Sequence, residues 1–357
     1  LLYRLARLAF RLDRSKSGGF VSLQTVSVIT SVGSCLPERV IGNLDEPLAS
    51  LDTTDEWIRS RTGIERRRWV EAGTSTGDLA VNAARSALGR AGQPVVDLVV
   101  LATTTPDHHS PGTAPAVAAR LGLGTVPAFD VSAACSGFTY ALAVGDAWIR
   151  AGTVQCVLVV AAETLSTITD PSDRGTAVVF ADGAGAVVLR AGSPLEPGAV
   201  LATSLGSDGT QDDLAVVRAG GSRWPDHAGE SSLADRCLRM RGPQMFAHAV
   251  RRMTDSSRSL LETVGWPVES VGAFIGHQAN QRILDKVADL VGVRAEARFG
   301  NIREVGNTSS ASIPLVMDEL VARQAVPPGT RSLFTAFGGG AVWGSVALSW
   351  PLIKDYE

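Results

Sequence analysis

The sequence predicts an α/β protein of stacked layers, built from two halves of similar plan. Three observations lead there. Apolar, β-branched runs of strand length alternate with segments of helical periodicity. The order strand, helix, strand, loop, helix, strand recurs in each half, without close sequence repetition. A Gly- and Pro-rich break at 192–198 separates the halves. Strands alternating with helices argue for largely parallel sheets covered by helices. In such sheets chemistry collects in loops after the carboxyl ends of strands. The expected organisation is a basic extension over 1–23, one half over 24–195 and a second over 196–357.

In the first half, residues 25–32 read as a strand. Thr53-Thr54-Asp55 caps a short helix that carries Trp57 and ends near Gly63. Arg59, Arg61, Arg66, Arg67 and Arg68 surround it. They read either as a solvated basic face or as a site for a phosphate-bearing ligand, with Trp57 as a flat stacking surface. A helix is expected over 74–91, a strand over 97–103, a helix over 113–121 and a strand over 125–131. A helix over 136–151 and a strand over 155–162 follow. Residues 177–180 and 186–189 read as a hairpin, with Asp182-Gly183-Ala184-Gly185 as its tight turn.

In the second half, strands are expected over 200–205, 271–276, 332–337 and 342–348. Helices are expected over 243–264, 280–291 and 309–323. The stretch 207–236 is polar, rich in Gly, Asp and Arg, and reads as a surface excursion that could reshape a site entrance.

Composition bounds the function. With 357 residues, 45% of them hydrophobic and 19% charged, the chain can bury a large core and is not a disordered protein. A net charge of -3 gives no nucleic-acid or membrane surface. No apolar run reaches membrane-spanning length. Cys35, Cys135, Cys156 and Cys237 form no CxxC pair and no metal-ligand spacing. They imply free thiols and a reducing, cytoplasmic setting. Residues 1–20 interleave apolar and Arg residues and run into a Ser/Gly link. They read as a flexible tail, or as a basic amphipathic segment that touches a membrane or partner, and not as a secretory signal.

Three strand-end loops carry the chemistry. Cys135 stands at the junction between the 125–131 strand and its helix. Unpaired N–H groups and the helix dipole there favour a thiolate, and Ala133, Ala134, Ser136 and Gly137 leave room for a substrate. A buried structural cysteine is the alternative. His277 follows the second strand of the C-terminal half, and Asn307 lies in Gly306-Asn307-Thr308-Ser309. Alone, such a histidine is more often structural and such an asparagine more often a helix cap. Together with the cysteine they offer a nucleophile and two neutral hydrogen-bond donors.

These motifs resemble those of the 3-oxoacyl-[acyl-carrier-protein] synthase III family of the thiolase superfamily. The resemblance covers about residues 24–350. It runs through Asp55-Glu56-Trp57-Ile58, Arg61-Thr62-Gly63-Ile64, Ala133-Ala134-Cys135-Ser136-Gly137-Phe138, Asp173-Arg174-Gly175 and Asp182-Gly183-Ala184-Gly185. It continues through His277-Gln278-Ala279-Asn280, Gly306-Asn307-Thr308-Ser309 and Phe337-Gly338-Gly339-Gly340. The resemblance implies a duplicated five-layer αβαβα fold and a homodimer. It implies that Cys135 is acylated by an acyl-CoA, with the N–H groups of Cys135 and Gly339 as oxyanion hole. It implies that His277 and Asn307 hold the malonyl thioester of malonyl-acyl carrier protein (malonyl-ACP) while CO2 leaves. The carbanion then forms a 3-oxoacyl-ACP without any metal or redox cofactor.

Residue by residue, the resemblance assigns Trp57, Arg174, Thr53, Arg61 and Asn280 to CoA or pantetheine contacts and Arg282 to docking of the acidic carrier protein. Arg251 and Arg252, on the helix before, extend that basic patch by charge alone. Ser110 stands where some family members place a bulky aromatic at the end of the acyl pocket. A small side chain there leaves room for a longer or branched primer, unless Pro106, His108 or His109 refills the space. The expected activity initiates fatty acid or polyketide synthesis. The alternatives are an acyltransferase of the same fold that passes an acyl group to a hydroxyl or amine, and a non-catalytic partner subunit. The retained Cys135, His277 and Asn307 favour the decarboxylating enzyme. A chalcone-synthase-like enzyme shares the Cys/His/Asn logic, but the string 277–280 and Arg282 fit synthase III better.

Overall fold

The computed structural model describes residues 25–227 and 229–353. The basic extension expected over 1–23 lies outside the described residues. The strands are β1 (Val26–Cys35), β2 (Val40–Gly42), β3 (Arg66–Arg68), β4 (Leu98–Ala102), β5 (Ala128–Val131), β6 (Cys156–Thr164), β7 (Asp182–Gly192), β8 (Val200–Ser207), β9 (Ala215–Val216), β10 (Arg239–Met240), β11 (Ala273–Gly276), β12 (Arg298–Phe299), β13 (Arg331–Gly338) and β14 (Val342–Ser349). The helices are α1 (Asp55–Thr62), α2 (Thr76–Arg90), α3 (Ala114–Arg120), α4 (Gly137–Arg150), α5 (Leu233–Arg236), α6 (Gly242–Val264), α7 (Gln281–Val291), α8 (Ile302–Val305) and α9 (Ser312–Ala322).

Two five-stranded sheets form, in the orders β1-β7-β6-β4-β5 and β8-β14-β13-β11-β12. Replace each strand of the first order by its counterpart in chain order and the second results, so the two halves share one topology. Helices α4 and α9 lie between the sheets. One apolar core joins Phe138, Leu142 and Ile149 of α4 and Ile313, Val316 and Met317 of α9 to strands of both sheets. Helices α2 and α3 cover the outer face of the first sheet with a second core, and α6 and α7 cover the second sheet with a third. The layers are therefore αβαβα.

Why these segments are helical is local. Ser75 accepts from the Asp78 N–H and the Asp78 side chain accepts from the Ser75 N–H, a reciprocal cap that starts α2. Thr54 caps α1 by accepting from the Trp57 N–H at 3.1 Å, and Gly63, at φ 80°, ends it. Strand β4 is buried along its whole length, as a central strand covered on both faces requires.

Two expectations are corrected. The sheets are mixed rather than largely parallel. β4 runs parallel to β5 and β6, but β7 runs antiparallel to β6 and β1. No α-helix connects β6 to β7 or β13 to β14, only a 3-10 turn over Leu165–Ile168 in the first case, and without a crossover helix the chain returns antiparallel. The hairpin expected at 177–189 does not form either. Residues 177–179 turn, and Asp182–Gly192 is one continuous strand. Gly185 serves close packing, because a Cβ there would sit 2.6 Å from Cβ of Pro314 on α9.

Candidate active site

The carboxyl ends of the two sheets meet at one cavity of about 890 Å3. Cys135, His277, Asn307, Ser309 and Gly338–Gly340 line its inner part. Trp57, Arg61, Arg174, Asn280 and Arg282 line it further along. Loops that are far apart in sequence converge here because the duplicated sheets place equivalent strand ends on the same side of the central helices.

Cys135 follows β5 in a tight 3-10 turn, Ala134–Ser136, that leads into α4. Ala134 is held at φ 45°, a left-handed conformation that costs a non-glycine residue about 1–3 kcal/mol. The turn is locked from the other half. A Cβ on Gly338 would stand 2.6 Å from the Cys135 backbone N, so only glycine lets β13 come this close. Ser136 Oγ donates to the Val342 carbonyl at 2.9 Å. The N–H groups of Gly339 and of Cys135 itself and the Ser309 side chain stand near the sulfur and favour its ionised form.

The expected low thiol pKa is corrected. Burial pushes the Cys135 thiol up to about 11, against the hydrogen bond from Ser309, and the nearby Glu163 charge pushes the same way. The backbone N–H groups lower it but do not win. The residue is only half-buried because the cavity reaches it, so it is accessible yet poorly solvated.

His277 caps β11 and is buried, 1% exposed. Burial pushes its pKa down to about 3, with the Ser309 carbonyl opposing, so the ring is neutral near pH 7. Ser312 Oγ accepts from the Gln278 N–H at 3.2 Å, which leaves its own hydrogen for His277 Nδ1 at 2.7 Å. With Ser312 as the donor, the imidazole proton stands on Nε2. Nε2 is buried with no protein partner among the described residues. Asn307 Oδ1 accepts from the Ser309 N–H at 2.9 Å, which leaves the amide Nδ2 as its donor for the cavity.

At the outer part, Arg174 stacks on Trp57 with 4.9 Å from guanidinium carbon to ring centroid, and Arg61 approaches at 5.8 Å. Arg174 is also anchored, donating to the Asp52 carbonyl at 2.7 Å. Asn280 caps α7 by accepting from the Arg282 N–H and donates to the Arg61 carbonyl at 2.8 Å, so it ties α7 to α1. Arg282 lies against Phe246 at 5.7 Å.

Other sequence candidates fall elsewhere. Arg67 is fully buried and donates to Asn43 Oδ1 and the Val178 carbonyl, while Arg59 pairs with Glu65 and Arg66 with Glu304. Of the arginine cluster, only Arg61 lines the cavity. Thr53 does not line it, and its Oγ1 is buried without a partner among the described residues. Ser110 is exposed and also off the lining, because Asp107 pins the base of its loop on the Gly77 N–H at 2.8 Å and the tip projects outward. Arg252 is committed internally, paired with Asp208 at 3.0 Å and stacked on Trp343 at 4.4 Å, so it is not free for a partner. Arg251 is exposed and paired loosely with Asp255. The polar excursion does reach the site. Asp212, Ala215 and Val217 line the cavity, and Ala215 packs against Gly339.

Sequence reading missed Glu163, Ser309 and Ser312. Glu163 was detectable as a charged residue near the end of an otherwise apolar strand, Ser309 stood inside the Asn307 loop already singled out, and Ser312 follows three residues later at the start of α9.

A duplicated αβαβα fold with a cysteine turn facing a histidine and an asparagine across its seam defines an acyl-transferring enzyme of the thiolase fold. Comparison with known proteins narrows the class. The chain matches the model of 3-oxoacyl-[acyl-carrier-protein (ACP)] synthase III over residues 129–209 and that of its C-terminal domain over 261–350. It is 53% identical to beta-ketoacyl-[acyl-carrier-protein] synthase III 3 of Streptomyces coelicolor, over 92% of this chain and 98% of that protein. The crystal structure of 3-oxoacyl-(acyl carrier protein) synthase III from Pseudomonas aeruginosa PAO1 superposes with TM-score 0.85 at 46% identity, covering 92% of this chain and all of that one. The priming beta-ketosynthase of the R1128 polyketide pathway superposes with TM-score 0.85 at 36% identity, covering 95% of this chain and 100% of that one. The chain belongs to the 3-oxoacyl-[acyl-carrier-protein] synthase III family of acyltransferases.

Proposed function

We propose that this enzyme condenses an acyl-CoA primer with malonyl-ACP to a 3-oxoacyl-ACP, initiating fatty acid or polyketide synthesis. One observation carries the mechanism. An accessible thiol, a His277 Nε2 without a partner among the described residues and the amide nitrogen of Asn307 line the same cavity.

Cys135 attacks the acyl thioester and becomes S-acylated. The N–H groups of Cys135 and Gly339 receive the oxyanion of the tetrahedral intermediate. His277 Nε2–H and Asn307 Nδ2–H then donate to the malonyl thioester carbonyl. As CO2 leaves, charge builds on that oxygen, and two aimed donors in a poorly solvated cavity stabilise the enolate. The enolate carbon attacks the acyl-Cys135 carbonyl. Nothing in this sequence of steps needs an electron acceptor or a Lewis acid.

Trp57, with Arg174 and Arg61 on it, suits a purine ring and the phosphates of CoA. Thr53 would serve CoA only from outside the cavity lining, and Asn280 would meet the pantetheine. Arg282, at the cavity with no acidic partner among the described residues, supports docking of an acidic carrier protein. Of Arg251 and Arg252, exposed Arg251 is the one left to extend that patch. The enzyme works as a homodimer in the cytoplasm, and its halves are 24–195 and 196–357.

Intact-protein mass spectrometry after incubation with a panel of acyl-CoAs, chased with malonyl-ACP, tests this reading. One acyl mass on Cys135, cleared by the chase into 3-oxoacyl-ACP, is the expected result. An acyl mass that malonyl-ACP does not clear would reject condensation and direct the search to hydroxyl and amine acceptors.

A further inference from the structure

Two distant segments meet at the outer part of the cavity. One is the turn at 170–175, after β6, which carries Arg174. The other is the polar excursion, which folds back as a ribbon in which Arg239 of β10 pairs with Val216 of β9 and Met240 with Ala215. Leu238 and Met240 of the ribbon pack on the apolar cluster that also holds Val178, Phe180 and Trp57, and both line the cavity.

Arg239 joins the two segments. Its Nη2 meets Asp170 Oδ2 and its Nη1 meets Asp173 Oδ2, each at 2.8 Å, and its Nε donates to the Ala234 carbonyl at 3.1 Å. All three guanidinium nitrogens are committed. The same carboxylates shape the turn. Asp170 Oδ1 accepts from the Ser172 N–H at 2.9 Å and from its hydroxyl at 2.6 Å. Asp173 accepts from the Gly175 N–H and from the Thr176 hydroxyl, both at 2.9 Å. Arg174 stands between these bonds, its guanidinium set by the Asp52 carbonyl and the face of Trp57. The excursion's other ion pairs go elsewhere. Arg241 with Asp213 and Arg223 with Asp212 stay within it, and Asp208 pairs with Arg252 of α6.

We propose that Arg239 is a positioning residue for the nucleotide end of CoA, holding the 170–175 turn so that Arg174 stays on Trp57. The inference rests on reading Trp57 and Arg174 as CoA contacts. Arg239 touches no ligand itself and acts through Asp173 and the turn.

The physical reason is the burial of one partner. The Asp170 side chain is 7% exposed and that of Arg239 31%. A fully exposed pair would contribute little. Removing the guanidinium here leaves an anion that water reaches poorly, and the turn must open to hydrate it. Arg174 follows Asp173 directly in the chain and moves with the turn. The planar fork lets one cation serve both carboxylates at once, so a single side chain fixes both ends of the segment that precedes Arg174.

Protection of Cys135 from iodoacetamide, located by peptide mass spectrometry on the full chain, tests the assignment. The two protecting probes are S-methyl-CoA and S-methyl-pantetheine. Neither has a thiol to consume the reagent, and only the first has a nucleotide. Arg174→Ala should raise the half-protecting concentration of S-methyl-CoA by about 3- to 30-fold and leave that of S-methyl-pantetheine unchanged. Arg239→Ala should do the same by about 3- to 10-fold, and the double variant should be no weaker than Arg174→Ala alone, because both changes remove one interaction. A merely structural role would weaken both probes alike. That result, an additive double variant, or unchanged protection in Arg239→Ala overturns the proposal. Should Arg239→Ala fail to fold in thermal melts, Arg239→Met, which keeps the aliphatic stem, decides in its place. The underlying reading fails separately, as unchanged S-methyl-CoA protection in Arg174→Ala, and the proposal then falls with it.

Discussion

The floor and the outer part of the cavity are built on opposite principles. At the floor, Cys135, His277 and Asn307 sit among strained turns, a glycine packed on backbone and hydrogen bonds that leave few atoms free. Further out, Trp57, Arg61 and Arg282 are held by stacking and a few exposed contacts. The floor must hold donors in place while charge develops, and a donor misplaced by an ångström loses most of its effect. The outer part must bind and release large, flexible carriers, for which rigid walls would be a hindrance. The difference teaches that one cavity divides its work by depth.

Breaking the floor should cost most. Cys135→Ala should show no acyl mass at all after incubation with any acyl-CoA. Gly338→Ala should be nearly as severe, because its new Cβ would force the Cys135 turn to shift. Loss of acylation together with a lowered melting temperature would be the expected pair of results. A normal acylation rate would mean that the floor is softer than its packing implies.

Next in size, Asn307→Ala or His277→Ala should leave self-acylation largely intact and cut malonyl-dependent condensation by about 100- to 1000-fold. Rapid-quench assays of the two half-reactions would separate them. Condensation at the normal rate in Asn307→Ala would remove the assigned role of the pair.

A smaller effect is expected outside the floor. Trp57→Ala should raise KM for acyl-CoA by about 3- to 30-fold, matching a cation–π and stacking contribution of about 0.5–2 kcal/mol, with kcat little changed. A fall in kcat of similar size would show that the outer part also positions the reacting thioester.

The smallest signal is in pH dependence. His277 titrates near 3 when folded and near 6.5 when unfolded. Across that window the unfolded chain holds the extra proton, so this residue's share of stability is present above about pH 6.5 and is lost as pH falls toward 3. Asp182, raised to about 6 chiefly by burial, has the opposite sign and loses stability as pH rises from 3.8 to 6. Melting curves of wild type and His277→Ala should therefore diverge below about pH 6.5, with the variant less sensitive to acid. Parallel curves would mean that the ring is solvated in solution.

Legibility from sequence followed the same divide. The site motifs were readable because each is a short string with its own backbone demand. The strand-end cysteine, the 277–280 string and the glycine run each declared itself locally. The arginine cluster misled, because five adjacent cations look alike in sequence while burial assigns each a different carbonyl or carboxylate. Arg67 inside the core and Arg61 at the cavity illustrate this. Arg252 and Ser110 lie away from the cavity lining for a related reason, since neither the Asp208 and Trp343 that hold the arginine nor the outward aim of the 103–113 loop is visible along the chain.

By itself the sequence determined the α/β class, the repeated order of elements and the loops that carry chemistry, because periodicity, capping and glycine placement are local properties. Only tertiary structure decided the mixed direction of the sheets, the raised Cys135 thiol and the freed His277 Nε2. Those depend on which distant groups exclude water and which remain to donate. Desolvation and hydrogen-bond partnership are set by packing between the two halves, and no segment carries that information alone.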